Sequence, residues 1–161
     1  MRFTLIDRII ELEPGAKITA VKNLSMAEEY LADHFPGFPV MPGVLMLEAM
    51  TQAGAWLIRA SEDFAHSVVT LKEARNVKYA NFVRPGQMLT VTAEVLGQDE
   101  RETKLKAQGT VEGLTVVSAR LVLERYNLAA DDAGRAVTDE VVKLKLRELF
   151  ALLYPGAAAA A

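Results

Sequence analysis

Apolar and polar positions change rhythm along this chain, and each change marks an element. Residues 5–13 and 16–24 read as extended segments. Between them Glu13-Pro14-Gly15-Ala16 suits a type II turn, with proline pre-setting one dihedral and glycine supplying the positive one, so an opening hairpin is predicted. Ser25 followed three residues on by Glu28 forms a capping-box pattern that predicts a short helix over about 26–32. Phe35 to Met41, with two prolines and a glycine, reads as a rigid irregular loop, and Pro42 suits a first helical position. From Val44 to about Ala60 apolar side chains occur on every side, which predicts a helix enclosed all round.

After Ala65 the pattern turns to period two. Strands are expected at 68–71, 75–79, 88–96, 103–111 and 114–125, punctuated by Arg84-Pro85-Gly86-Gln87, Gly97-Gln98-Asp99-Glu100 and Glu112-Gly113. These links are short enough for antiparallel neighbours. Val141, Leu144, Leu149 and Leu152 are spaced like one face of a last helix over 138–153, which Tyr154-Pro155-Gly156 stops, and the terminal alanine run is expected to fray. One helix wrapped by an antiparallel sheet is an α+β architecture.

Composition narrows the function. The 161 residues, 51% hydrophobic and 24% charged, fit one globular domain. With no cysteine, disulfides, thiolate nucleophiles and thiolate zinc sites are excluded, and two histidines leave little for a metal. A net charge of −3 gives no support to nucleic-acid binding. Charge within the first eight residues argues against a secretory signal, and Glu48 and Gln52 interrupt the longest apolar run, so the expectation is a cytoplasmic protein with no membrane span.

The chemistry concentrates between His34 and Gln52. Histidine is the side chain suited to proton transfer near neutral pH, and an apolar setting favours the neutral, proton-donating form of a carboxyl group such as that of Glu48. Burying a charged, unpaired carboxylate there would cost several kcal/mol, which argues for a purpose other than stability. The competing readings are a solvent-facing Glu48 and an ordinary structural histidine, the latter being the reading for His66. Met41, Met46, Met50, Trp56 and Phe82 could line an apolar channel or simply form core.

The string His34-Phe35-Pro36-Gly37-Phe38-Pro39-Val40-Met41-Pro42-Gly43, continuing through Glu48 to Gln52, resembles the signature of the hot-dog-fold 3-hydroxyacyl-(acyl-carrier-protein) dehydratases of type II fatty acid synthesis. Similarity extends through Leu5-Ile6-Asp7-Arg8, Ala20-Val21-Lys22-Asn23 and Arg75-Asn76-Val77-Lys78-Tyr79 to Arg84-Pro85-Gly86, over a core of about 5–125, leaving 137–154 as a C-terminal helical extension of one domain. Glutamate at position 48 resembles the dehydratase-only branch; the dehydratase/isomerase branch carries aspartate there. The resemblance implies His34 as the base removing the proton alpha to the thioester and Glu48 as proton donor to the departing hydroxyl, the two coming from different subunits. It further implies a Gly43 N–H bound to the thioester carbonyl, a Val40 carbonyl holding the imidazole, Gln52 steadying the carboxylate and Phe82 lining the acyl tunnel.

No cofactor or metal is implied. The implied partners are an acyl carrier protein bearing a phosphopantetheine arm, steered by Lys72, Arg75, Lys78 and Arg84, and a second copy of the chain in a homodimer, with a trimer of such dimers as the larger assembly. The sequence departs from the family at Asp33, where glycine is usual, at Gln87, where an acid is common, in lacking a segment upstream of Asp7, and in the last helix. A hot-dog acyl thioesterase using Glu48 to activate water, and a non-catalytic acyl-binding scaffold subunit, are the rival functions.

Overall fold

The computed structural model describes residues 4–156. The expectation for the terminal alanine run at 157–161 lies outside them. Six antiparallel strands, β1 (Arg8–Glu13), β2 (Lys17–Asn23), β3 (Val68–Tyr79), β4 (Met88–Gln98), β5 (Glu102–Val111) and β6 (Leu114–Tyr126), form one sheet in the order β1-β2-β4-β5-β6-β3. The sheet wraps α1 (Gly43–Ser61), and α2 (Ala136–Leu153) closes the C-terminal side, giving the expected hot-dog architecture with an added helix.

Alternation on the strands builds the core. Leu105 and Ala107 of β5, Leu121 and Leu123 of β6, and Leu89, Val91 and Ala93 of β4 turn one face inward against Ala49, Met50, Ala53 and Leu57 of α1. Helix and sheet meet closely at Gly54, where a Cβ would lie 2.5 Å from Leu105 Cδ1. The opening hairpin turns at Gly15 with φ 76° and an Ala16 N–H bonded to the Glu13 carbonyl at 3.0 Å, as a type II turn requires.

Several expectations change. The helix predicted over 26–32 is reduced to a 3-10 turn at Glu29–Ala32. Ser25 Oγ accepts from the Ala27 N–H, and Glu28 is drawn away to Lys22 Nζ at 2.7 Å, so the capping box never closes. Segments 68–71 and 75–79 are one strand; register shifts between Leu71 and Glu73 and between Arg75 and Lys78, with Asn76 at φ 52°, break the alternation without ending the pairing with β6. Pro42, with ψ 136°, is the N-cap residue, so the helix begins at Gly43.

Two faces also differ. Val44 is 66% exposed and Leu45 and Leu47 are half-buried, so the first turns of α1 are not enclosed within the chain. On α2, Val141, Leu144 and Leu152 point outward, and the inward face is Asp139, Leu146, Leu149, Phe150 and Leu153. That face is anchored by Asp139, whose carboxylate accepts from Ser67 Oγ and from the Leu128 and Ala129 amides at 2.9 Å, while Phe150 packs on Trp56 and Phe64.

Candidate active site

The loop before α1 fixes His34. Pro36 and Pro39 restrict the backbone on either side of Gly37, which adopts φ 79°, and the Val40 N–H bonds back to the His34 carbonyl at 3.1 Å. The same residue's carbonyl lies 3.0 Å from His34 Nδ1. A carbonyl can only accept, so Nδ1 carries the hydrogen and donates it, and Nε2 is the nitrogen left with a lone pair. The imidazole stacks on Phe35 at 4.1 Å, and the peptide bond joining the two residues is cis.

His34 borders a cavity of about 580 Å³ whose walls include Met41, Gly43, Met46, Tyr79 and Phe82. Gly43 brings the first amide of α1 to this wall. The first-turn amides of a helix have no acceptor within it and carry the positive end of its dipole, which makes this rim suited to an oxygen gathering negative charge. A Cβ at Gly43 would meet the Tyr79 ring at 3.0 Å, so the absence of a side chain lets that ring pack against the start of α1. Phe82 meets Phe38 edge-on at 5.5 Å, and the Arg84 guanidinium covers the Phe38 ring at 5.1 Å.

Glu48 lies elsewhere. Five residues of helix separate it from Gly43, a rotation of about 140° beyond one full turn, so it faces a different side of α1. There it borders a second cavity of about 310 Å³ with Gln52, Trp56, Arg59, Leu71 and Leu149. It is half-buried, and Oε1 accepts a hydrogen bond from Gln52 Nε2 at 2.9 Å, while Gln52 Oε1 accepts from the Leu5 N–H at 2.9 Å. Gln52 is thus fixed to the first residues of the fold and can hold the carboxyl group in place.

Of the channel candidates, Met41, Met46 and Phe82 border the first cavity, Trp56 borders the second, and Met50 is core. The four cations divide. Lys72 pairs with Glu102 and Arg75 with Glu73, whereas Lys78 sits next to Tyr79, about 20 Å further along the strand from Lys72 at 3.3 Å per residue, and Arg84 reaches Phe38. Sequence reasoning assigns none of Tyr79, Arg59 and Leu149 to a site. Arg59, with Ser61 and Glu62, reads as the wet end of the helix, yet it is half-buried in this cavity wall, as its sharing one helical face with positions 48, 52 and 56 allows; Tyr79 and Leu149 are distant in sequence and carried no local signal. His66 bonds Glu62 at 3.0 Å, in keeping with a structural residue.

Comparison with known proteins identifies the family and the fold. A family model described as a FabA-like domain matches residues 1–120. The 3-hydroxyacyl-(acyl-carrier-protein) dehydratase FabZ of Ruminiclostridium cellulolyticum is 41% identical over 111 residues, covering 69% of this chain and 78% of that protein. The enzyme of the same name from Myxococcus xanthus is 37% identical over 138 residues, 84% of this chain and 90% of its own. Among solved structures, the dehydratase heterocomplex ApeI:P from Xenorhabdus doucetiae superposes with a TM-score of 0.66 at 20% identity, over 79% of this chain and 86% of that one, and so shares the fold.

Proposed function

The chain belongs to the FabA-like family of 3-hydroxyacyl-(acyl-carrier-protein) dehydratases, and on that premise we propose that it removes water from (3R)-3-hydroxyacyl-carrier-protein to give the trans-2-enoyl thioester. The observation that carries the residue roles is the His34 Nδ1 bond to the Val40 carbonyl, which leaves Nε2 as a base beside the amide end of α1. His34 takes the proton from the carbon alpha to the thioester. The Gly43 N–H bonds the thioester oxygen as negative charge builds there. Glu48 gives its proton to the 3-hydroxyl, the carbon–oxygen bond breaks, the double bond forms, and water leaves. The proton now on His34 returns to Glu48 through solvent before the next turnover.

Glu48 would come from a second copy of the chain. Three features support a shared site: His34 and Glu48 border different cavities, β3 is a sheet edge that among the described residues pairs with β6 alone, and Phe35, Val44, Tyr79 and Phe82 form exposed apolar surface beside His34. A homodimer, with a trimer of dimers as its larger form, would cover that surface. Lys78 and Arg84 beside the first cavity, with Lys72 and Arg75 further along β3, would attract an acidic carrier protein. Among the described residues no helix is long and apolar enough to cross a membrane, and we place the enzyme in the cytoplasm with the carrier.

The test is the absorbance of enoyl thioester formed from a 3-hydroxyacyl thioester. Activity in the wild type, with loss in both His34→Ala and Glu48→Gln, supports the proposal. Full activity in either variant overturns the assigned roles. Release of free thiol from an acyl thioester lacking a 3-hydroxyl would identify a thioesterase instead.

A further inference from the structure

Arg59 occupies a costly position that the reaction just described does not explain. It lies in the last turn of α1, half-buried, and among the described residues its guanidinium has no carboxylate partner. Its Nε–H meets no acceptor. The guanidinium carbon lies 5.3 Å from the centre of the Trp56 ring. A ring face attracts the charge but accepts little from the in-plane N–H donors, so most of the five remain available. Burial without compensating charge pulls this guanidinium down to about 10, well below the usual arginine value. A partly desolvated cation without a carboxylate partner carries a cost that a bound anion would offset.

The position of Arg59 says where such an anion would sit. It borders the same cavity as Glu48, with Gln52 and Trp56 between them on one face of α1. Eleven residues of helix advance about 16 Å, and the arginine side chain leans back toward the helix start, so its donors lie nearer to Glu48 than that. A carbon chain advances about 1.25 Å per carbon for a 1.5 Å bond at the tetrahedral angle. Leu149 also lines this cavity, on a helix that lies beyond the residues matched by the family model.

We propose that the second cavity takes the far end of a medium-length acyl chain and that Arg59 binds a carboxylate carried at that end, so that this enzyme accepts 3-hydroxyacyl thioesters with an anionic terminus. This inference rests on the dehydratase reading. Glu48 works at the C3 hydroxyl, Trp56 packs along the methylenes, and Arg59 meets the terminal carboxylate with a charge-assisted bond in a cavity whose wall also carries Thr51, Gln52 and Thr70. Leu149 of α2 stops longer chains.

The experiment compares 3-hydroxyacyl thioesters of about eight to twelve carbons ending in methyl, methyl ester or carboxylate, with 3-hydroxybutyryl thioester as the measure of dehydration itself. In the wild type the carboxylate-ended substrate of matching length is expected to show the lowest KM, with kcat little changed. Arg59→Met should lower its kcat/KM relative to the methyl-ended substrate by roughly 10- to 100-fold, with Arg59→Lys intermediate. A wild-type preference for methyl over carboxylate at every length overturns the inference without any variant being needed. An equal ratio in wild type and Arg59→Met also overturns it. Failure on 3-hydroxybutyryl thioester would sink the dehydratase reading alone, and the inference is then read by calorimetry. Medium-chain dicarboxylate monothioesters should bind the wild type roughly 10- to 100-fold more tightly than Arg59→Met, and equal affinity overturns the inference.

Discussion

If each active site combines His34 of one chain with Glu48 of another, two dead variants should repair each other. His34→Ala removes the base and Glu48→Gln the proton donor, each expected to lower the rate by roughly 10²- to 10⁴-fold. That is a rise of about 3–5 kcal/mol in the barrier. Co-expressed in equal amounts with random pairing, the variants form about half heterodimers, and each heterodimer holds one site with both residues replaced and one with neither, so about a quarter of wild-type activity returns. Isolation through two different affinity tags should raise this to about half. The structural basis is the helical rotation that sends Gly43 and Glu48 to separate cavities, together with the unpaired edge of β3. Enoyl absorbance follows the recovery. A mixture no more active than the mean of the two single variants would refute the shared site.

Further outcomes follow from particular contacts. Gly43→Pro should fold, because proline is favoured at a first helical position and Pro42 already has the extended ψ of 136° that a following proline demands, yet it deletes the amide donor. Its kcat should fall roughly 10²–10³-fold below that of Gly43→Ala, which adds a Cβ against Tyr79 but keeps the N–H; equal kcat values would remove Gly43 from the mechanism. Gly54→Ala places a methyl 2.5 Å from Leu105 Cδ1 in a filled core. Overpacking of about 1–3 kcal/mol should outweigh the gain in helix propensity, so calorimetry should show a Tm lower by several degrees, and an unchanged Tm would mean the helix backs away freely.

Asp139 ties α2 to the sheet in a pH-dependent way. Burial pushes its carboxyl up, but hydrogen bonds from Ser67 Oγ and the Ala129 and Leu128 amides outweigh this and hold it below the usual carboxylate range. Its contribution to stability is therefore complete above the unfolded-state value near 3.9 and is lost as pH falls through the lower folded value. Limited proteolysis should release α2 in acid, and Asp139→Asn should remove that pH dependence; an identical acid profile in the variant would exclude the carboxylate as its cause. Lys78→Glu with Arg84→Glu should raise KM for carrier-protein substrates at low salt and leave short synthetic thioesters unaffected.

Local chemistry made much of this protein legible in the sequence. Period-two alternation placed β4, β5 and β6, Pro14-Gly15 closed the opening hairpin, and Pro36 to Pro42 marked a stiff loop ahead of an apolar helix, because each of these follows from dihedral preferences and side-chain direction within a few residues. The string from His34 to Gln52 identified the reaction. Tertiary packing decided the rest. Lys22 drew Glu28 out of its capping box, pairing with β6 carried β3 through two register shifts, and α2 turned inward the face anchored by Asp139 on Ser67, leaving Val141, Leu144 and Leu152 of the spacing-selected face outward. Likewise, only the fold set Tyr79 beside Gly43 and brought Leu149 to the cavity that Glu48 borders, since such arrangements depend on how distant segments stack and leave no periodic trace in either segment alone.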